Sequence, residues 1–193
     1  MRVIAGSLKG RRLKTPSWEG LRPTSDRLRE TLFDVLMPRI AGARILDGYA
    51  GTGAIGIEAV SRGAASATFV DRDRRARALI SENVEHCGIP SGCVIIRSAF
   101  DSSARPVRDG HKRSAPLTHD DTSFGPFDIV VLDPPYDRRP EQVIHEVAHL
   151  VAPAGVLVLE HSKRRTAPAA IASLVKTRDI IAGDSVLSFY ESG

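Results

Sequence analysis

The sequence predicts an α/β protein: a mostly parallel sheet with helices on both faces, preceded by a β-hairpin extension. Three observations lead there. From Ala43 onward, short apolar segments alternate with amphipathic ones, the rhythm of βα units in a parallel sheet. The first apolar segment runs straight into a glycine-rich turn, and the residues ahead of Ala43 mix β-branched residues with Gly6 and Gly10. With 193 residues, 42% hydrophobic and 26% charged, the chain can bury one sizeable core rather than two.

Taken in order, Arg2 to Lys14 reads as a short hairpin that presents its bases as a fixed surface. After turn residues Gly20 and Pro23, Thr24 or Ser25 can cap a helix whose apolar positions Leu28, Leu32, Val35 and Leu36 keep helical spacing until Pro38 stops it. Arg27, Arg29 and Glu30 are expected on its other face. Strands follow at Ala43 to Asp47, Ala67 to Asp71, Cys93 to Arg97, Asp128 to Asp133 and Gly155 to Glu160. Helices are expected near Ala54 to Arg62, Asp73 to Cys87 and Pro140 to Val151. Thr177 to Ala182 and Val186 to Tyr190, joined by Gly183-Asp184, form a closing antiparallel pair. Residues 102 to 126 break the rhythm with Pro106, Pro116, Pro126, Gly110 and Gly125, and read as a mobile surface insertion. Residues 1–39 are therefore expected to be an extension and residues 40–193 the main domain.

Charge sharpens that division. Residues 1–39 hold nine bases (Arg2, Lys9, Arg11, Arg12, Lys14, Arg22, Arg27, Arg29 and Arg39) against four acids, while the rest of the chain holds 18 bases and 19 acids. The formal charge of +4 is thus wholly N-terminal. A nucleic-acid partner would meet that end, because clustered Lys and Arg neutralise phosphates; a solvated basic tail is the competing reading. The apolar runs are too short to cross a bilayer and no charged-then-apolar leader is evident, so a soluble cytoplasmic protein with no membrane partner is expected. Cys87 and Cys93 match no disulfide framework or zinc spacing and read as small buried residues.

The first strand ends in Asp47-Gly48-Tyr49-Ala50-Gly51-Thr52-Gly53-Ala54-Ile55-Gly56. Glycines between a strand and a helix let a ligand approach the backbone closely. Gly51, Gly53 and Gly56 satisfy the dinucleotide pattern G-x-G-x-x-G, and Asp71 ends the second strand 20 residues after Gly51, where a carboxylate holds ribose hydroxyls. Asp47 discriminates between cofactors. A carboxylate before the turn repels a pyrophosphate but attracts the sulfonium and amino group of S-adenosylmethionine. Tyr49 and Arg72 flank these positions, and Ser98, Ala99 and Phe100 end the third strand, where an adenine would lie. Asp47 and Asp71 each also fit a strand-end cap.

The fourth apolar strand runs into Asp133-Pro134-Pro135-Tyr136. Two prolines remove two backbone donors and fix the directions of the neighbouring carbonyls. Such acceptors suit an exocyclic NH2 group, whose lone pair is delocalised into a base. Hydrogen bonds from both N–H groups to the Asp133 carboxylate and a carbonyl would draw that nitrogen toward tetrahedral geometry and align it with a methyl donor. Tyr136 would stack on the base. A plain turn with a packed tyrosine is the alternative for the tetrapeptide taken alone.

In these motifs the chain resembles the RsmD-type methyltransferases. The likeness is carried by Met1 to Gly6 with Lys9-Gly10-Arg11, Arg22 to Glu30, the Asp47 to Gly56 turn with Glu58-Ala59, and Ser61 to Ala64. It continues through Phe69-Val70-Asp71, Asp133 to Tyr136, Glu160 to Arg164, and Gly183 to Ser185 with Leu187 to Tyr190. The resemblance implies a Rossmann-like, seven-stranded S-adenosylmethionine-dependent methyltransferase fold whose N-terminal hairpin engages RNA. It implies methylation of a guanine N2 amine in the 16S ribosomal RNA of the bacterial small subunit, within partly assembled ribonucleoprotein. It puts Asp47, Gly51, Gly53 and Asp71 on cofactor positions and Asp133, Pro134, Pro135 and Tyr136 on the catalytic motif. Gly48 departs from the bulky apolar residue usual there, and the insertion after Phe100 is longer than expected. Arg2, Lys9, Arg11 and Arg12 of the hairpin, with Arg22, Thr24 and Arg29 at the helix start, are the candidate RNA contacts; a salt-bridge network is the alternative for that helix start. An adenine-N6 methyltransferase shares the Asp-Pro-Pro-Tyr chemistry, an NAD-linked oxidoreductase shares the glycines, and a non-enzymatic assembly factor needs only the hairpin.

His145-Glu146-Val147-Ala148-His149 formally matches a zinc-protease signature. On a helix whose apolar stripe is Val143, Val147, Leu150 and Val151, both histidines face solvent, so no metal is expected. His161 reads as a loop or capping residue after the fifth strand.

Overall fold

The structure, a computed structural model, describes residues 1–16, 18, 26–97, 107–108 and 125–193. All seven expected strands are present. They are β1 (Arg44–Gly48), β2 (Ser66–Val70), β3 (Cys93–Arg97), β5 (Phe127–Leu132), β6 (Val151–Ser162), β8 (Leu174–Ala182) and β9 (Ser185–Ser192). Two two-residue strands, β4 (Val107–Arg108) and β7 (Ala170–Ile171), extend the edges, giving nine strands among the described residues in the order β4-β3-β2-β1-β5-β6-β9-β8-β7. Strands β3, β2, β1, β5 and β6 are parallel; β4, β9, β8 and β7 each run antiparallel to their neighbour. β4 falls in the expected insertion; its residues 102–106 and 109–124, with Ser98, Ala99 and Phe100, lie outside the described residues.

Alternation along the central strands builds two cores. Ile45, Ile129, Val131, Val156 and Val158 face one side, and Leu46, Val130, Leu132, Leu157 and Leu159 the other. Helices α1 (Asp26–Ile40), α2 (Ala54–Ser61) and α3 (Arg74–His86) cover the first side with Leu32, Phe33, Ile57 and Ile80. Helix α4 (Pro140–Val147) covers the second with Val143, Ile144 and Val147. Among the described residues no helix is long and apolar enough to cross a membrane.

Several boundaries differ from the sequence reading: α4 stops at Val147 rather than Val151, β6 begins at Val151 rather than Gly155, and β8 begins at Leu174 rather than Thr177. Helix α1 continues through Pro38 to Ile40, because a proline in the last turn costs one hydrogen bond while the extra turn buries Ile40 to 2% exposure. Strand β6 runs on to Ser162, so His161 is a strand residue: it pairs with Val186 of β9 and its Nε2 lies 2.9 Å from Ser188 Oγ. Cys87 is buried as expected and Cys93 is half-buried.

The N-terminal residues form the expected antiparallel ribbon, with Arg2 opposite Arg12 and Val3 N donating to Arg11 O at 2.9 Å. Val3 and Leu13 point into the first core. Polar side chains of α2 and α3 hold the ribbon's backbone. Glu58 Oε2 accepts from Ile4 N at 2.7 Å and Oε1 from Ala5 N at 2.9 Å. Ser61 Oγ accepts from Leu8 N at 3.0 Å, and Asn83 Oδ1 from Lys14 N at 2.7 Å. The hairpin is thereby rigidly docked on the sheet's helical cover.

Candidate active site

The chain leaves β1 toward β2 on one side and returns to β5 on the other, so the carboxyl ends of β1 and β5 flank a crevice at the point where strand order reverses. Ligands of open α/β sheets bind at that point. Asp47 of β1, Asp71 just after β2 and Asp133 just after β5 all converge on it.

The turn from β1 to α2 has three residues in the left-handed region, Tyr49 at φ 60°, Gly51 at φ 56° and Gly53 at φ 76°. Gly51 N donates to Asp71 Oδ2 at 2.9 Å, and Ala50 N to Val70 O at 3.1 Å, which ties the turn to the end of β2. Gly56 answers a different need. A Cβ there would collide with the ring of Phe69 of β2, so glycine lets α2 close on the sheet. Gly56→Ala is expected to lose about 1–3 kcal/mol of stability through that overpacking, a loss that shows as a lower denaturant midpoint at an unchanged slope.

Asp47 is 1% exposed, and its Oδ2 accepts from Gly56 N at 2.9 Å. It therefore caps the first turn of α2 from beneath the glycine turn. Burial, helped by the Asp133 and Asp71 charges and opposed by the Gly56 bond, raises its carboxyl to about 8. Asp71 is half-buried, and its second oxygen accepts from Asp73 N at 2.8 Å. Arg72 is exposed, and its carbonyl accepts from Arg77 Nη1 at 2.9 Å. Tyr49 is half-buried; burial raises its phenol to about 12, with Arg138 pulling it back. Gly48, the departure from the family pattern, lies buried in β1, where its carbonyl accepts from Asp133 N at 3.3 Å. That bond sets the Asp-Pro-Pro-Tyr segment directly beside the glycine turn.

In that segment Asp133 is half-buried, Pro134 is buried, and Pro135 and Tyr136 are exposed. Arg138 N donates to Pro135 O at 3.0 Å. Three residues outside the expected set also hold it. Arg165 Nε donates to Tyr136 O at 3.1 Å, and the Tyr136 hydroxyl lies 2.7 Å from Ser185 Oγ, which donates to Glu160 Oε1 at 2.9 Å. The available signal for Glu160 was an acid closing an otherwise apolar strand, Val156 to Leu159.

Arg2, Lys9, Arg11 and Arg12 are exposed on the hairpin, Arg11 with its Nη1 donating to His86 O at 3.4 Å. Arg29 differs. It is 0% exposed, with Nη2 donating to Arg2 O at 2.8 Å and to Asp26 Oδ1 at 2.7 Å, and Nη1 3.9 Å from Glu58 Oε2. The expectation that Arg29 meets RNA is thereby corrected: its guanidinium is spent inside the fold, holding the hairpin to α1, and the salt-bridge alternative holds for it. Arg22 and Thr24 lie outside the described residues. His145 and His149 are exposed, and α4 ends at Val147, so the helical i,i+4 relation is broken before His149. Among the described residues no group of three or more His, Cys, Asp or Glu could hold a metal ion.

The family model described as conserved hypothetical protein 95 matches residues 1–191. The ribosomal RNA small subunit methyltransferase D of Haemophilus influenzae is 38% identical over 138 residues, 70% of this chain and 64% of that protein, so this match spans just under two thirds of the relative. The protein of that name from Escherichia coli K12 is 31% identical over 197 residues, 99% of this chain and 89% of its own. The putative rRNA methyltransferase YlbH of Bacillus subtilis is 31% identical over 194 residues, 99% and 98% of the two chains. The solved structure of the putative methyltransferase yhhF from Escherichia coli has a TM-score of 0.78 at 32% identity and covers 100% of this chain and 97% of that one. A family match over nearly every residue, together with these relatives, establishes that the chain belongs to the conserved hypothetical protein 95 family, the RsmD-type methyltransferases.

Proposed function

We propose that the protein transfers a methyl group from S-adenosylmethionine to the exocyclic N2 amine of a guanine in 16S ribosomal RNA, acting on the small subunit or an assembly intermediate in the cytoplasm. One observation carries this reading. The Asp133 backbone N–H bonds the Gly48 carbonyl, so the segment built to grip an exocyclic amine lies against the turn built to hold the donor. The names of the relatives supply the class of RNA.

The residues present fit the cofactor. Three carboxylates, Asp47, Asp71 and Asp133, surround a left-handed glycine turn, and their mutual repulsion is relieved by a cation. The left-handed glycines leave the backbone open to close approach. When bound, S-adenosylmethionine supplies an electrophilic methyl on a sulfonium. Asp71 would hold the ribose, Tyr49 and Arg72 would border it, and Ser98 to Phe100 would meet the adenine. Asp133 would accept one amine N–H, concentrate the nitrogen lone pair and take up the proton released as the N–C bond forms and the sulfonium S–C bond breaks to leave a neutral thioether. Pro134 and Pro135 hold the neighbouring carbonyls stiff, and Tyr136 stacks on the base. In this reading residues 1–39 grip RNA through Arg2, Lys9, Arg11 and Arg12, with Arg22 and Thr24 as further candidate contacts, while residues 40–193 carry the chemistry. Mass spectrometry of ribosomal RNA nucleosides from cells with and without the protein tests this. Loss of one N2-methylguanosine is expected; loss of an N6-methyladenosine instead would select the adenine reading.

The raised Asp47 carboxyl gives a pH signature. The folded, ligand-free protein keeps a proton on Asp47 that the unfolded chain releases above its ordinary value of 3.8. This group therefore makes stability fall as pH rises from about 4 through about 8. A cationic ligand favours the ionised carboxylate, so affinity for S-adenosylmethionine is expected to rise with pH up to about 8, with proton release on binding below that value. Calorimetry in buffers of different ionisation enthalpy reads that proton directly, and Asp47→Asn should abolish it.

A further inference from the structure

The tyrosine of the reactive segment is held by a buried carboxylate through a serine. Glu160, 6% exposed at the end of β6, accepts from Ser185 Oγ at 2.9 Å. Ser185, 9% exposed at the start of β9, lies 2.7 Å from the Tyr136 hydroxyl, which is itself 3.5 Å from Glu160 Oε1. A carboxylate can only accept, and both hydroxyls lie within reach of the same Glu160 oxygen, Ser185 Oγ at 2.9 Å and the phenol at 3.5 Å. Either hydroxyl can donate between Tyr136 and Ser185, so the three groups form one closed network anchored on Glu160. Tyr136 as a whole nevertheless remains 37% exposed while its polar tip is anchored.

We propose that Ser185 and Glu160 are positioning residues for the RNA base: they fix the Tyr136 ring in the orientation that receives it. This rests on the function proposed above and names two residues of the same site that no part of that reading uses. The register makes the device rigid. Ser185 pairs with Ser162 across β6 and β9, two strand pairings from Glu160 with Leu187, and all of that stretch except half-buried Ser162 is buried. Arg165 grips the Tyr136 carbonyl at the same time, so backbone and side chain of the tyrosine are held from the β6 side. An aromatic platform ordered before binding spares the rotamer entropy a free side chain would lose on stacking.

Ser185→Ala removes the link without disturbing the larger buried groups, and Ser185→Thr restores the hydroxyl. Ser185→Ala is expected to raise the KM for RNA roughly 3- to 10-fold, the size of one lost hydrogen bond, with S-adenosylmethionine affinity unchanged and recovery in Ser185→Thr. In a Tyr136→Phe background, which lacks the phenol, the same substitution should add nothing. A readout independent of turnover is NMR of tyrosine rings labelled with carbon-13: Tyr136 should gain ring motion in Ser185→Ala while Tyr49 and Tyr190 stay as they are. An unchanged RNA KM with an equally ordered Tyr136 overturns the proposal, as does an equal KM increase in the Tyr136→Phe background. If the wild-type protein methylates no RNA, the functional reading falls, and the ring dynamics still decide whether Ser185 orders Tyr136.

Discussion

Asp133→Ala is expected to lower the rate of methyl transfer by about 10²–10³-fold, the cost of removing a preorganised group aimed at developing charge, while S-adenosylmethionine still binds. The reasoning is local. Asp133 stands at the end of β5, where its backbone N–H is taken by Gly48, so the side chain is aimed from a fixed strand end. Alanine leaves that backbone bond and the two following prolines intact and deletes only the carboxylate. Single-turnover transfer from a labelled donor measures the chemical step, and a fully active variant would sink the mechanism. A second effect accompanies the first. The Asp133 charge pushes the Asp47 carboxyl up, so without it the pH at which ligand binding stops releasing a proton should move downward. Asp133→Asn, which keeps an acceptor oxygen but no charge, should give the same pH movement with a smaller loss of rate. A variant that loses rate without moving that profile would be acting by distortion of the segment.

How far such a site could be read from sequence depended on whether its parts are local. The seven strands were legible because each is a short apolar run with turn residues at its end, and Asp47, Asp71 and Asp133 because each closes one of those runs. The two-residue edge strands carry no periodicity of their own and exist only as partners of β3 and β8. Arg29 escapes a sequence reading for a physical reason: its spacing to Leu32 and Leu36 sets it beside the apolar stripe, but a charged residue reads as solvent-facing when nothing local reveals that the hairpin folds over that face. Glu160 and Ser185 were seen only as part of a resemblance, since their relation to Tyr136 spans 24 and 49 residues. The sequence signal for Glu58, an acid inside the apolar helix Ala54 to Val60, was present but ambiguous between a buried anchor and a solvent-facing position.

That carboxylate is expected to dominate the stability of the N-terminal region. Glu58 is 0% exposed; it accepts from Ile4 N, Ala5 N and Arg62 Nε at 2.7 to 2.9 Å and lies 3.9 Å from Arg29 Nη1. Glu58→Ala removes one charge, leaves the amides of half-buried Ile4 and Ala5 without their acceptor and takes the ion pair from Arg29 Nη1, whose Nη2 keeps Arg2 O and Asp26; breaking a buried pair from one side costs about 3–5 kcal/mol. Arg62 loses least, because its guanidinium also lies 4.9 Å from the Phe33 ring. The loss should appear as a lower denaturant midpoint and, more specifically, as fast hydrogen exchange at Ile4 and Ala5 with β1 and β5 still protected. Glu58→Gln keeps one acceptor but turns an NH2 toward donors, so it should fall between wild type and alanine. Unaltered exchange at Ile4 and Ala5 in the alanine variant would show that Ser61 and Asn83 suffice to dock the hairpin. The functional consequence separates order from charge: Glu58→Ala keeps every base of the hairpin, so a drop in RNA affinity with intact donor binding would mean that the bases act only when the hairpin is fixed. Arg11→Glu with Arg12→Glu on the wild-type fold makes the complementary test, since both side chains are exposed and their reversal should weaken RNA binding and flatten its salt dependence while leaving the midpoint in place.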